Sequence, residues 1–200
     1  MKTSLSAAVL LVAFSASAAH AGDLTTEELL SIAKAAYPGE LCWWERAEEN
    51  LHQAASWSLT YRAPYEDEAD PKRLVILHKL PCFYGAYNFG EVWFVETEYE
   101  GLMPLHFAEP QLDIEYADDE ETAVSAMTIT GFTTQPALIN AEFDEETRTI
   151  TSYSKWRGLG DAFSSGTWTF REGKFVLTHY EVDATFNDEI DPVTVFGGEN

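Results

Sequence analysis

The chain has 200 residues, with 12 Lys and Arg against 34 Asp and Glu and a formal net charge of −22 at pH 7. Hydrophobic residues make up 46% and aromatics 14%, which supplies a real core and argues against a disordered chain. The charge argues equally against nucleic acid or an anionic lipid surface as partner, since both are bound through clustered cations.

Lys2 is the one charge ahead of an apolar run from Leu5 to Phe14, and small residues follow, ending in Ala19-His20-Ala21. That order is the pattern of a secretory leader with its cleavage site. The run of 10 residues is too short for a helix across a bilayer core about 30 Å thick. Residues 1–21 are therefore read as a signal peptide and residues 22–200 as the exported chain, periplasmic or secreted. No later uninterrupted apolar run exceeds four residues, so no membrane insertion is expected.

Export decides how Cys42 and Cys82, the two cysteines, are read: an oxidising compartment favours a disulfide between them. It would close a loop of 41 residues, counting both ends. The chain-entropy model gives such a loop about 4 kcal/mol.

Thr25 with Glu28 makes a capping box, and Leu29, Leu30, Ile32, Ala33 and Ala36 recur at helical spacing until Pro38-Gly39. A second helical stretch is expected over Trp44–Gln53. From there strands are expected at Trp57–Arg62, Arg73–Leu80, Glu91–Glu98, Leu102–Phe107, Ala123–Thr130, Ala137–Phe143 and Thr147–Trp156. An acidic, proline-bounded loop spans residues 64–71. Thr167–Arg171 and Lys174–Tyr180 flank Glu172-Gly173, a two-residue hairpin turn. In that register Phe170 faces Phe175 and Trp168 faces Leu177, and His179 falls on the same core-facing set. The expected fold is mainly β, an antiparallel sheet or sandwich with a short N-terminal helical segment. Residues 22–200 are taken as one β-rich domain.

Pro81-Cys82-Phe83-Tyr84-Gly85-Ala86-Tyr87-Asn88 resembles a Cys-x-x-Gly-Ala-Tyr-Asn stretch of an exported bacterial family, the domain of unknown function 1176. The similarity continues through Phe143-Asp144, Thr149-Ile150, Ser154-Lys155-Trp156-Arg157-Gly158-Leu159-Gly160-Asp161, Ser165-Gly166-Thr167-Trp168 and Gly173-Lys174-Phe175-Val176-Leu177. It spans about residues 80–195, and residues 22–63 form a divergent helical and strand part. The family pattern has a further cysteine after the Arg-Gly-x-Gly-Asp turn; Ala162 stands there in this chain. The resemblance implies a periplasmic, mostly β protein and implies no particular activity.

Arg157-Gly-Leu-Gly-Asp161 is the most distinctive string. Backbone amides near two glycines and a guanidinium could hold an anion. The competing reading is a structural turn, with both glycines at unusual φ and Arg157 paired to Asp161. No His pairs with another His or Cys at ligand spacing, so no metal site and no cofactor are expected. His78 reads as a satisfied structural histidine. No local nucleophile motif exists, and a nucleophile–His–acid set would have to be assembled by the fold. Trp43, Trp44, Tyr84 and Tyr87 flank the cysteines, where flat rings could stack on a sugar or a partner chain.

The leading reading is a noncatalytic binding module with an acidic surface. Its partner would be a basic protein or peptide, in the manner of a lysozyme inhibitor, or a glycan. The alternative is a cell-envelope hydrolase or carbohydrate-active enzyme using clustered carboxylates, such as Glu66-Asp67-Glu68 or Asp118–Glu121. A third is a structural protein whose acidity serves solubility.

Overall fold

A computed structural model describes residues 24–39 and 41–197; the signal-peptide reading of residues 1–21 lies outside the described residues. Helix α1 runs Thr26–Ala36. Its capping box is formed: the Thr25 hydroxyl accepts from the Glu28 backbone, and Glu28 accepts from the Thr25 N–H at 2.9 Å. These bonds hold the Glu28 carboxyl below its usual range. The expected helix over Trp44–Gln53 is divided, with α2 at Trp44–Glu48 and a single 3₁₀ turn at Leu51–Gln53. Asn50 Nδ2 donates to the Arg46 carbonyl at 2.9 Å, a side chain competing with the helix ladder where the helix stops.

Twelve strands follow: β1 (Ala55–Tyr61), β2 (Arg73–Tyr84), β3 (Phe89–Thr97), β4 (Gly101–Pro104), β5 (Phe107–Tyr116), β6 (Val124–Gln135), β7 (Ala137–Ile139), β8 (Glu142–Asp144), β9 (Thr149–Lys155), β10 (Phe163–Arg171), β11 (Lys174–Asp183) and β12 (Val193–Phe196). Sheet 1 has the order β1-β2-β3-β4, with β7 also on β3; sheet 2 has the order β12-β11-β10-β9-β8. β5 and β6 form a separate ribbon, and every one of these pairings is antiparallel. The chain is mainly β, as its sequence implies.

Several expected strands have different limits, each for a local reason. β2 runs past Leu80 because a bulge absorbs Pro81, which has no N–H for the ladder. Cys82 is the extra residue there and meets Cys42, with Cα atoms 4.5 Å apart in the disulfide. The expected strand Leu102–Phe107 is broken after Pro104, and β5 begins at Phe107. β5 continues from Phe107, where the expected strand ends, to Tyr116, and tolerates Pro110 because it is paired only by β6. The expected strand Ala137–Phe143 is divided at Asn140, which adopts a positive φ of 47°. That corner sends β7 to sheet 1 and β8 to sheet 2.

The C-terminal hairpin forms with Phe170 opposite Phe175 and Trp168 opposite Leu177. Glu172 (φ 50°) and Gly173 (φ 85°) make its turn, the left-handed pair that matches strand twist. A bulge between Thr167 and Trp168 then shifts the register. His179 is thereby moved off the core face expected for it and sits half-buried beside Glu181, while Tyr180 and Val182 turn inward.

The two sheets face each other across one core. Leu59, Val75, Leu77, Trp93 and Val95 meet Ile150, Trp168, Phe170, Leu177 and Val182. Phe107 from the ribbon stands edge-on to Trp93 at 6.4 Å and to Trp168 at 5.3 Å. A second cluster covers the other face of sheet 1, where Leu29, Ala33 and Tyr37 lie on Leu80, Cys82, Val92 and Phe94.

Candidate functional site

The residues singled out in the sequence occupy two settings. Around the end of the β2–β3 hairpin, Trp43 is half exposed at 50% and packs against Phe83 at 6.3 Å. Tyr84 stands edge-on to Phe89 at 5.4 Å and donates to Gln53 Oε1 at 3.3 Å. Tyr87 lies over Gly158. Trp44 turns the other way and donates its indole N–H to the Tyr37 carbonyl at 3.1 Å.

Asn88 ties this hairpin to sheet 2. Its amide donates to the Lys155 carbonyl at 2.8 Å and accepts from the Lys155 N–H at 3.2 Å, as a paired strand residue would. Asn140 completes the clamp, donating to Asn88 Oδ1 at 3.1 Å and to the Tyr153 carbonyl at 2.8 Å. It also accepts from the Phe89 N–H at 2.9 Å.

In the Arg157–Asp161 turn, Arg157 Nε donates to Asp161 Oδ1 at 2.7 Å, and Nη2 reaches both Asp161 and Asp188. Asp161 also accepts from the Asp188 N–H at 2.9 Å. These bonds, led by the guanidinium, hold the Asp161 carboxyl far below its usual range. Of its two glycines only Gly160 has a positive φ, 80°, so the expectation of two such glycines is corrected; Gly158 lies beside the Tyr87 ring with room for a methyl.

The acidic clusters sit on turns and accept local donors. Glu66 takes the Ala63 N–H at 2.7 Å and Arg73 Nε at 2.6 Å. Asp118 takes the Thr122 N–H at 2.8 Å, and Asp144 takes those of Glu146 and Thr147. Among the described residues no group of three or more His, Cys, Asp or Glu is disposed to hold a metal ion.

A concave feature whose convergent groups include a single charge lies elsewhere, between the ribbon and sheet 2. Two arms, of about 330 Å³ and 460 Å³, share Glu109, Ser154, Ser164 and Tyr180. Strand alternation puts Glu109 on the same face of β5 as the buried Phe107. Trp168 holds the ribbon in place by donating its indole N–H to the Ala108 carbonyl at 2.9 Å. Gly166, opposite Tyr180 on β10, leaves the space that the Trp168 ring fills; a Cβ there would lie 2.4 Å from the ring. The Tyr180 hydroxyl donates to Glu109 Oε1 at 2.7 Å. Burial and that carboxylate push the phenol well above its ordinary value, so it stays a donor.

The smaller arm is walled by Leu41, Phe83, Leu138, Ile139 and Trp168 and carries the hydroxyls of Ser152, Ser154 and Ser164. The larger arm adds Trp156 and Thr130. Glu109 is the single charged residue lining either arm, and its Oε2 has no hydrogen-bond partner among the described residues. This arrangement suits a cation: one carboxylate oxygen open, hydroxyls around it, and the half-buried Trp156 ring alongside.

Of the cleft residues, Ser154, Trp156 and Trp168 fall in stretches the sequence marks out, none of them as a binding residue, and Glu109 in none. Tyr180 ends the expected hairpin strand and is turned inward by the bulge, and Glu109 lies just past the expected strand Leu102–Phe107. Ser154 and Ser164 become neighbours only through the β9–β10 register.

The family described as protein of unknown function (DUF1176) matches residues 7–185. The match takes in the helices and β1, so the family likeness begins well before the residue-80 limit read from the motifs. An uncharacterized protein of Escherichia coli (strain K12), YpfG, is 28% identical over 117 residues. The aligned stretch covers 58% of this chain and 28% of that protein, so the chain spans under a third of its relative's length. No solved structure matches the chain.

Proposed function

The chain belongs to the DUF1176 family, and we propose that it is a periplasmic binding module whose cleft receives a basic side chain of a cationic protein or peptide. The observation that carries this reading is Glu109: one carboxylate, half free, at the junction of two arms lined by no Lys, Arg or His. The disulfide indicates an extracytoplasmic setting, and no helix among the described residues is long and apolar enough to cross a membrane. A net charge of −22 steers cationic partners toward the surface, and the cleft then selects among them. No chemistry is required of the cleft for this role.

A neutral glycan is the second reading. Three serine hydroxyls and the half-buried Trp156 ring supply the hydrogen bonds and flat face a sugar ring uses.

Calorimetric titration with an arginine-rich peptide and a neutral oligosaccharide, at low and high salt, separates the two. Binding of the peptide weakens with salt for any acidic protein. Loss of one charge-assisted hydrogen bond costs about 1.5–3 kcal/mol, so Glu109→Gln is expected to weaken the peptide roughly 10-fold or more at both salt concentrations. Peptide binding that is indifferent to Glu109→Gln would assign it to diffuse surface charge and remove the cleft from the account.

A further inference from the structure

On the helix-covered face of sheet 1, a serine, a histidine and a glutamate line up across three adjacent strands. Ser56 on β1 stands directly opposite His78 on β2, and Glu96 on β3 is opposite Ile76, one diagonal step away. Strand alternation sends all three side chains to the face opposite Trp57 and Leu77. The Ser56 hydroxyl lies 2.8 Å from His78 Nδ1, and His78 Nε2 lies 3.3 Å from Glu96 Oε2. His78 is 3% exposed and Glu96 6%, whereas Ser56 is open to solvent.

The tautomer is assigned by the partners. A carboxylate only accepts, so the ring proton belongs on Nε2, toward Glu96, and the Nδ1 lone pair faces the serine hydroxyl. Ser56 then donates to Nδ1. Burial lowers the pKa of His78 against the hydrogen bond and charge of Glu96, so the ring is neutral and basic at pH 7. A nucleophile, its base and a third group orienting the base are the parts of an acyl-transfer site, whatever the chain order.

We infer that Ser56, His78 and Glu96 form a second site, a serine nucleophile for an unhindered carboxylic ester. Ser56 Oγ adds to the ester carbonyl carbon while its proton passes to His78 Nδ1. The tetrahedral centre expels the alkoxide, which takes that proton and leaves as the alcohol. Water then adds to the acyl-serine, its proton going to Nδ1 and on to Ser56 Oγ as the acid departs. One ester and one water become one acid and one alcohol, with no change of oxidation state. β1 is paired on one side only, by β2, so alternate N–H groups of its open edge are free to meet an oxyanion. Glu96 is a positioning residue: it fixes the tautomer and touches no substrate.

The test is covalent labelling of the oxidised full chain with a fluorophosphonate probe, with the modified peptide located by mass spectrometry. The expected result is an adduct on Ser56 whose rate of formation falls on acidification as His78 gains a proton. Ser56→Ala, a change at an exposed position, abolishes it, and His78→Gln slows it about 100-fold. Glu96→Gln slows it less and moves the pH midpoint downward, because the charge that favours imidazolium is gone. Folding of each variant is verified by circular dichroism. Should His78→Gln not fold, the wild-type pH profile decides. No adduct at Ser56 of the folded protein, or a rate unmoved by pH or by His78→Gln, overturns the proposal and leaves His78 a structural histidine.

Discussion

Sheet 1 has one face under helix α1 and the disulfide and the other against sheet 2 and the β5–β6 ribbon, and the two are closed by different means. The helix side is sealed by two local devices, a capping box and a proline-glycine stop, and by a covalent bridge that brings Cys42 onto the β2 bulge. The ribbon side depends on long-range placements, the Trp168 indole on the Ala108 carbonyl and the Tyr180 hydroxyl on Glu109. The first set covers its face around Leu80, Cys82, Val92 and Phe94 and leaves Ser56, Ser58 and Leu74 exposed beyond it; the second leaves the cleft open. The lesson is that the same sheet carries a stapled cover and a polar hollow because its two faces answer to different parts of the chain.

Breaking the staple is expected to have the largest effect. Replacing Cys42 and Cys82 by serine should cost about 4 kcal/mol in chemical denaturation, with little change in peptide binding at the cleft in protein that remains folded. The corner between the sheets comes next. Asn140 makes three side-chain hydrogen bonds at a left-handed φ, and at roughly 1 kcal/mol for each bond Asn140→Ala should destabilise by about 2–3 kcal/mol. Asn140→Gly, which relieves φ but makes none of these bonds, should recover only a small part of the loss.

A pH effect sharpens the comparison further. Glu91 faces the inter-sheet side, where burial raises its pKa to about 7 against the Ala141 N–H bond and Lys79. A carboxyl raised above its unfolded value of about 4.3 stabilises most at low pH, and that stability is lost as pH climbs from about 4.5 through 7. Glu91→Gln should flatten this slope, removing on the order of 2 kcal/mol of pH dependence once screening by water is allowed for. The smallest effect belongs to the hairpin turn. Gly173→Ala places a methyl at φ 85° and within 2.6 Å of the Tyr61 ring. A thermal melt should show a loss of about 1–2 kcal/mol.

The sequence was legible where neighbours in the chain decide the outcome. Thr25 and Glu28 announce their helix, Glu172-Gly173 its hairpin, and a chain with two cysteines leaves Cys42 and Cys82 one partner each. It was opaque where one residue redirects a strand. The bulge at Thr167/Trp168 exchanged His179 for Tyr180 on the core face, and Asn140 turned one apparent strand into two on different sheets. The cleft needs β10 and β11 in register and the β5–β6 ribbon packed on them before Glu109, Ser164 and Tyr180 meet, and no local spacing reports that. The string Arg157–Asp161, so conspicuous in the chain, owes its form to the ion pairs that close its turn.

The most direct measurement is a two-dimensional amide NMR titration of the oxidised protein with an arginine-rich peptide at moderate salt. Saturable shifts are predicted at the Trp168 indole N–H and the backbone amides of Glu109, Ser154, Ser164 and Tyr180, and their loss in Glu109→Gln. Shifts spread over the acidic loops at residues 64–71 and 118–121, with the Trp168 indole unmoved, would contradict the account.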